Sequence, residues 1–113
     1  MAETNWIMVV TAYIAPEVEA DWNRWYDEVH VPEILACPGV HRAVRCETPE
    51  PALVRGWTPR PEEGMRGYMA IYDIDGPEVL KTPEFAKARG WREFTDKVKS
   101  TTRVYRKRRA FTK

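Results

Sequence analysis

Hydrophobic residues follow a helical spacing in one stretch near the start of the chain, between Pro16 and Ala36. Polar and charged residues occupy the opposite face of this stretch, where they would meet water. The pattern predicts an amphipathic first helix over residues 16–36, with Pro16 in its first turn and Pro32 breaking or distorting it. Its buried face is formed by apolar and aromatic residues at steps of three and four: Val18, Trp22, Trp25, Tyr26, Val29 and Ile34.

The rest of the chain is predicted to contain four strands and a second helical region. A buried stripe within residues 77–97 predicts a second helix, which Pro83 and Gly90 are expected to break or kink. The resulting order, β-α-β-β-α-β, predicts one α+β domain over residues 1–113: a ferredoxin-like antiparallel sheet with both helices on one face. The strands are predicted from their β-branched and aromatic content over residues 5–14, 40–47, 65–74 and 101–111.

The first and third predicted strands are apolar on both of their faces, although the helices can cover only one face of such a sheet. An uncovered apolar sheet would be a large adhesive patch. Burial of the second face would supply on the order of 10–20 kcal/mol of gross hydrophobic stabilisation. We therefore expect a homodimer that joins sheet to sheet and forms an α+β barrel.

Residues 48–64 connect the second and third strands and contain four of the nine prolines. So many prolines are incompatible with regular structure. A long irregular connection in so small a domain is typical of a lid, a binding loop or an interface arm. Trp57, in its middle, is expected either to close over a ligand or to pack against its own domain.

Charge and composition exclude several classes of function. The chain has 18 basic and 17 acidic residues, so no global field attracts nucleic acid or a membrane surface. The basic residues from Arg103 to Lys113 suit a solvated strand edge that discourages aggregation. No apolar run approaches the roughly 18 residues of a membrane span, and no signal-peptide pattern is present. We expect a cytoplasmic protein whose cysteines are reduced.

Two histidines and two cysteines lie close together in the sequence: His30, Cys37, His41 and Cys46. Their spacing lacks the paired cysteines of structural zinc sites. Glycine-rich phosphate loops, nucleophile elbows and zinc-protease motifs are also missing. We therefore expect neither a metal nor another cofactor.

The motif Trp25-Tyr26-x-x-x-His30-x-Pro32, followed by Pro38-Gly39-Val40 and Tyr68-Met-Ala-Ile-Tyr72, resembles the dimeric α+β barrel superfamily, in its EthD-like and stress-responsive branch. The resemblance covers the first three strands more closely than the last third. It implies a pocket inside each subunit, between sheet and helices, into which His30 points. This superfamily contains isomerases, polyketide cyclases, cofactor-free monooxygenases and haem enzymes, so the fold alone does not define the activity.

His30 carries the clearest candidate chemistry, because an imidazole gains and loses a proton near neutral pH. It is either a general acid or base facing a cavity, or a core histidine bonded to a backbone carbonyl. Tyr72, and less directly Tyr13, are expected to provide a phenol that stabilises an oxyanion opposite His30. Strand tyrosines also serve simply as core residues, and the sequence leaves both possibilities open.

Aromatic side chains suit the walls of an apolar cavity, and we assign substrate binding to Trp25, Tyr26, Trp57 and Trp91. The sequence equally allows the three tryptophans to be core residues without contact to a ligand. Arg45 is expected either to enter the pocket and hold a carboxylate or enolate or to form an inter-subunit salt bridge. These residues predict a cofactor-independent isomerase, lyase or cyclase that moves a proton on a small apolar, aromatic or polyketide-like carbonyl compound. The alternatives are a cofactor-free monooxygenase, a non-catalytic carrier of a hydrophobic molecule, and a structural dimer without a ligand.

Overall fold

The computed structural model describes residues 4–48 and 64–113, so Trp57 and the expected lid lie outside the described residues. Within these ranges, four strands form one antiparallel sheet in the order β2-β3-β1-β4. This is the ferredoxin-like arrangement that the sequence predicts, and it is confirmed. The strands are β1 (Trp6–Ile14), β2 (Val40–Glu47), β3 (Arg66–Ile74) and β4 (Val98–Arg106).

The alternation of side chains along the strands gives the sheet one buried and one more open face. On β1, every second residue from Met8 to Ile14 is buried against the helices. Met8 pairs with Tyr72 of β3 on one side and with Val104 of β4 on the other. The pairing register therefore places Tyr72 in the middle of the helix-facing side.

The first helical region changes pitch along its length without a break. The helix widens into a π turn immediately before Pro32. Pro32 has no N–H, and its ring would collide with the Glu28 carbonyl in a regular α-helix. A π turn avoids that collision, and its Val31 N–H bonds to the Tyr26 carbonyl. The region consists of a 3₁₀ turn (Pro16–Val18), α1 (Glu19–Trp25), the π turn (Tyr26–His30) and α2 (Val31–Leu35).

Two expectations for this region need correction. Pro32 widens the helix but does not break it. Val29, placed by the α-helical spacing on the buried face, is 38% exposed, because the π turn changes the angular phase of the residues within it.

The second helical region is divided where the sequence predicts. It comprises a 3₁₀ turn (Pro77–Lys81), α3 (Pro83–Ala88) and a second 3₁₀ turn (Arg92–Lys97). The Thr82 hydroxyl caps α3 by accepting the N–H of Phe85 at 3.1 Å. Gly90 has a φ of +106°, a left-handed conformation that favours glycine.

The last strand begins earlier than expected, at Val98 and not at Thr101. Val98 directly follows the predicted second helical region, residues 77–97, and pairs with Ile14 at the end of β1. The strand ends at Arg106, after which the Lys107 N–H bonds to the Asn5 carbonyl.

The sheet face turned away from the helices has an apolar centre. Val9, Ile71 and Val44 face one another there across β1, β3 and β2. Val44 is 41% exposed, and the nearby Met69 is 38% exposed. Charged residues such as Arg103 share this face. The surface has the character from which the homodimer was predicted, and the homodimer itself stays a prediction.

Candidate functional site

A cavity of about 430 Å³ opens between the sheet and the two helical regions. Its volume is within the range of small-molecule sites. The inner part is formed by buried residues of the sheet and the first helical region: Met8, Val10, His30, Ile34 and Tyr72. Its mouth is bordered by α3, by the loop that follows α3 and by β4.

His30 lies at the inner end of the cavity, is only 6% exposed and makes no hydrogen bond with a described residue. Burial lowers the pKa of its imidazole to about 4, with a smaller opposing effect from the Glu33 carboxylate. The ring is therefore neutral near pH 7 and available to accept a proton. The alternative of a core histidine bonded to a backbone carbonyl does not describe this ring.

Three aromatic side chains hold the imidazole in place. Trp25 stacks on it with ring centroids 4.8 Å apart and an angle of 20° between the planes. Tyr26 meets it edge-on at 5.0 Å, and Trp91 lies 5.3 Å away. Residues five apart lie about 140° apart around an α-helix and could not stack. The Trp25–His30 stack therefore depends on the π turn, whose bonds span five residues.

Tyr72 is the second buried polar residue at the inner end. It is 1% exposed, and its hydroxyl lies beside the Tyr26 phenol without forming a hydrogen bond of ordinary geometry. Burial, reinforced by the neighbouring Tyr26 phenol, raises the pKa of Tyr72 well above its ordinary value. The phenol consequently stays protonated and can donate a hydrogen bond. Buried polar groups that lack well-formed hydrogen bonds are uncommon and costly, and both His30 and Tyr72 border the same cavity.

The structure does not bring Tyr13 to His30. Its neighbours Ala12 and Ile14 point into the core, so Tyr13 lies on the other face of the sheet. There its ring covers Gly67, where an added Cβ would lie 3.1 Å from the Tyr13 Cε1 atom. The structure therefore places Tyr13 on the opposite face of the sheet from His30.

Arg45 faces the helices but does not line the cavity. Its guanidinium lies 4.0 Å above the Tyr26 ring and donates to Asp27 at 2.7 Å and Asn23 at 2.8 Å. The ion pair with Asp27 is formed within the chain. Arg45 thus covers the outer side of an aromatic residue that contacts His30.

Of the three described aromatics assigned to the pocket wall, Trp91 lines the cavity, whereas Trp25 and Tyr26 support the imidazole from behind. The indole N–H of Trp91 donates to the Ser100 hydroxyl at 2.9 Å. Sequence reasoning missed Arg89, Ser100 and Thr102, which border the mouth. Ser100 and Thr102 are two residues apart on β4, a spacing that could have indicated a shared face.

Within residues 4–48 and 64–113, no group of three or more histidine, cysteine or acidic side chains is arranged to hold a metal ion. Both cysteines are free thiols, Cys37 buried and Cys46 exposed. His41 bonds to Asp75 at 2.6 Å, apart from His30. None of the described helices is long and apolar enough to span a membrane.

Several solved structures share this fold. An EthD-family protein from Bacillus halodurans is 14% identical with a TM-score of 0.58, covering 86% of this chain and 95% of its own. SnoaB, a cofactor-independent oxygenase from Streptomyces nogalater, is 10% identical with a TM-score of 0.63, covering 97% and 100%. A Streptomyces coelicolor monooxygenase in complex with nanaomycin D is 10% identical with a TM-score of 0.58, covering 97% and 93%. The resemblance to the EthD-like α+β barrel proteins is thereby confirmed at the level of the fold.

The family is given by a sequence model that matches residues 5–107. The chain belongs to the family described as "Domain of unknown function (DUF4286)". A comparison with curated proteins gave no significant match.

Proposed function

We propose that the protein is a cofactor-independent enzyme that removes a proton from a small, largely apolar carbonyl compound bound in the cavity. The observation that carries this proposal is the placement of two buried polar groups, His30 and Tyr72, at the inner end of one cavity. His30 makes no hydrogen bond with a described residue, and the Tyr72 hydroxyl has the Tyr26 phenol as a close polar neighbour. Apolar side chains such as Met8 and Val10 line the same space. A cavity with apolar walls and a few polar groups is the usual form of a small-molecule site.

The protonation states favour this division of labour. Neutral His30 can accept a proton from a carbon next to the carbonyl group, while protonated Tyr72 donates a hydrogen bond to the oxygen on which charge develops. The products of the step are an imidazolium and an enolate. The nearby enolate stabilises the imidazolium, which offsets the low pKa of His30 in the unliganded protein.

The fate of the enolate defines the reaction class. Return of the proton to another position gives an isomerase, and expulsion of a leaving group gives a lyase. A second candidate, cofactor-free monooxygenation, is supported by neighbours described as a cofactor-independent oxygenase and as monooxygenases. In that case the enolate itself would supply the electrons to molecular oxygen.

The proposal includes a homodimer and a cytoplasmic location. The apolar centre formed by Val9, Val44 and Ile71 on the outer face of the sheet supports pairing with a second copy. The free thiols of Cys37 and Cys46 suit a reducing compartment.

The test is exchange of carbon-bound hydrogen for deuterium in 2-tetralone, a bicyclic ketone, followed by proton NMR in heavy water. The wild-type protein is expected to accelerate exchange. His30→Gln should remove the acceleration, and Tyr72→Phe should lower it about a hundredfold. His41→Gln is the matched control and should keep the wild-type rate. Oxygen uptake in the same mixture would indicate monooxygenation.

Two results would contradict the proposal. Exchange that persists in His30→Gln would mean that another group takes the proton. Tight binding of the ketone to wild type with no exchange and no oxygen uptake would identify a carrier of small molecules.

A further inference from the structure

The mouth of the cavity differs from its inner end in charge. His30 and Tyr72 are buried and neutral, whereas Arg89, Ser100 and Thr102 at the mouth are exposed. Among the described residues that line the cavity, Arg89 is the one with a formal charge near neutral pH. No carboxylate lies among these described lining residues to balance it.

Arg89 is not committed to a salt bridge with any described residue, unlike other arginines around the first helical region. Arg92 is paired with Glu33 at 2.7 Å, and Arg45 with Asp27 at the same distance. The backbone of Arg89 is nonetheless fixed, because its N–H bonds to the Phe85 carbonyl at 2.9 Å at the end of α3. A guanidinium on an anchored backbone is therefore available to a ligand.

Gly90 shapes the loop so that its neighbours on both sides reach the cavity. Its φ of +106° turns the chain between Arg89 and Trp91, and a Cβ added there would meet no atom within 4 Å. Across the mouth, Ser100 accepts the indole N–H of Trp91. Its own hydroxyl hydrogen remains available to donate, as does that of Thr102.

We propose that Arg89 forms an anion subsite at the cavity mouth, assisted by Ser100 and Thr102, so that the preferred ligand is an aromatic or polycyclic compound with a carboxylate or other anionic group. This inference rests on the proposed function, because it assigns the outer end of the same ligand. The apolar body lies against Val10 and Phe85, with its reacting carbonyl toward Tyr72. The anionic group remains at the exposed mouth, where the cost of losing water is small.

The test compares two probes of the same shape, 2-naphthoate and 2-naphthamide, by isothermal titration calorimetry. Wild type is expected to bind the anion about fivefold more tightly than the amide, as suits a partly exposed ion pair. Arg89→Gln should abolish this preference, so that the ratio of the two affinities is about one, and Arg89→Lys should keep much of it. Added salt should weaken the preference in wild type.

The matched control is Lys87→Gln, which removes the same charge from α3 outside the cavity and should leave the preference unchanged. Ala86→Trp, at an exposed lining position, should obstruct the cavity and weaken binding of both probes. Equal binding of the two probes to wild type, sensitive to Ala86→Trp, would overturn the anion subsite and leave the cavity as a ligand site. A preference that persists in Arg89→Gln would also overturn it. Binding of neither probe to wild type would count against both the subsite and the proposed function.

Discussion

The low pKa of His30 makes protein stability depend on pH in a defined way. Its pKa falls from 6.5 in the unfolded chain to about 4 in the folded protein. Between these values the unfolded state binds a proton that the folded state does not. Stability therefore decreases as pH falls through this window, and the contribution of His30 is complete above the unfolded pKa.

The size of the effect follows from the shift. Each pKa unit corresponds to about 1.4 kcal/mol, so His30 alone should lower the free energy of unfolding by about 3 kcal/mol between neutral pH and a pH near 4. No large discount for solvent is needed, because His30 is only 6% exposed. Carboxylates also titrate in acid, so the informative quantity is the difference in the free energy of unfolding between wild type and His30→Gln.

The assay is urea unfolding of both proteins at several pH values. All samples have the same protein concentration, so that association between subunits contributes to the measured stability in the same way throughout. The stability of wild type relative to His30→Gln should fall by about 3 kcal/mol over the window. NMR titration of the imidazole signals gives the pKa directly, and His41→Gln assigns the two histidines. A parallel pH dependence in the two proteins, or a His30 pKa near its ordinary value, would refute the reasoning.

Three further predictions follow from the positions of individual residues. Pro32→Ala should permit a regular α-helix and separate the Trp25–His30 stack. The rate of deuterium exchange should then fall about tenfold to a hundredfold, with little loss of thermal stability. An unchanged rate would show that the π turn does not position the imidazole. Tyr13→Phe should change the same rate less than about twofold, since its ring lies on the other face of the sheet, and a loss comparable to that of Tyr72→Phe would contradict this placement. Ile71→Lys should convert the expected dimer to a monomer, because the charge would be buried in the sheet-to-sheet contact; light scattering that gives one mass for both proteins would count against that interface.

The order and pairing of the strands could be predicted because their patterns and breakers agree. The segment that forms β2 follows Pro38-Gly39, and its predicted bounds, residues 40–47, match those observed. The second helical region divides at Pro83 and Gly90, because proline lacks a backbone N–H and glycine readily adopts a positive φ. Both residues are visible in the sequence. Local propensity and tertiary structure coincide at these points.

The site was harder to predict because it depends on the angular positions of residues around the first helical region and on which face of the sheet each strand residue occupies. β3 is apolar on both faces, so its pattern alone could not show that Tyr72 faces the helices. The π turn changed the assignments of Trp25 and Tyr26 from pocket wall to support for His30, and α-helical spacing does not reveal such a turn. Arg89 lies beside a glycine in an irregular loop, where no periodic pattern indicates direction.

The central claim is that His30 and Tyr72 face a cavity that receives a small carbonyl compound. A crystal structure of the protein soaked with 2-tetralone tests it most directly. We predict that the ketone lies within the cavity, with its oxygen within about 3.2 Å of the Tyr72 hydroxyl and its acidic carbon beside the His30 imidazole. A cavity closed by protein side chains, or a ketone bound only on the outer face of the sheet, would contradict the account.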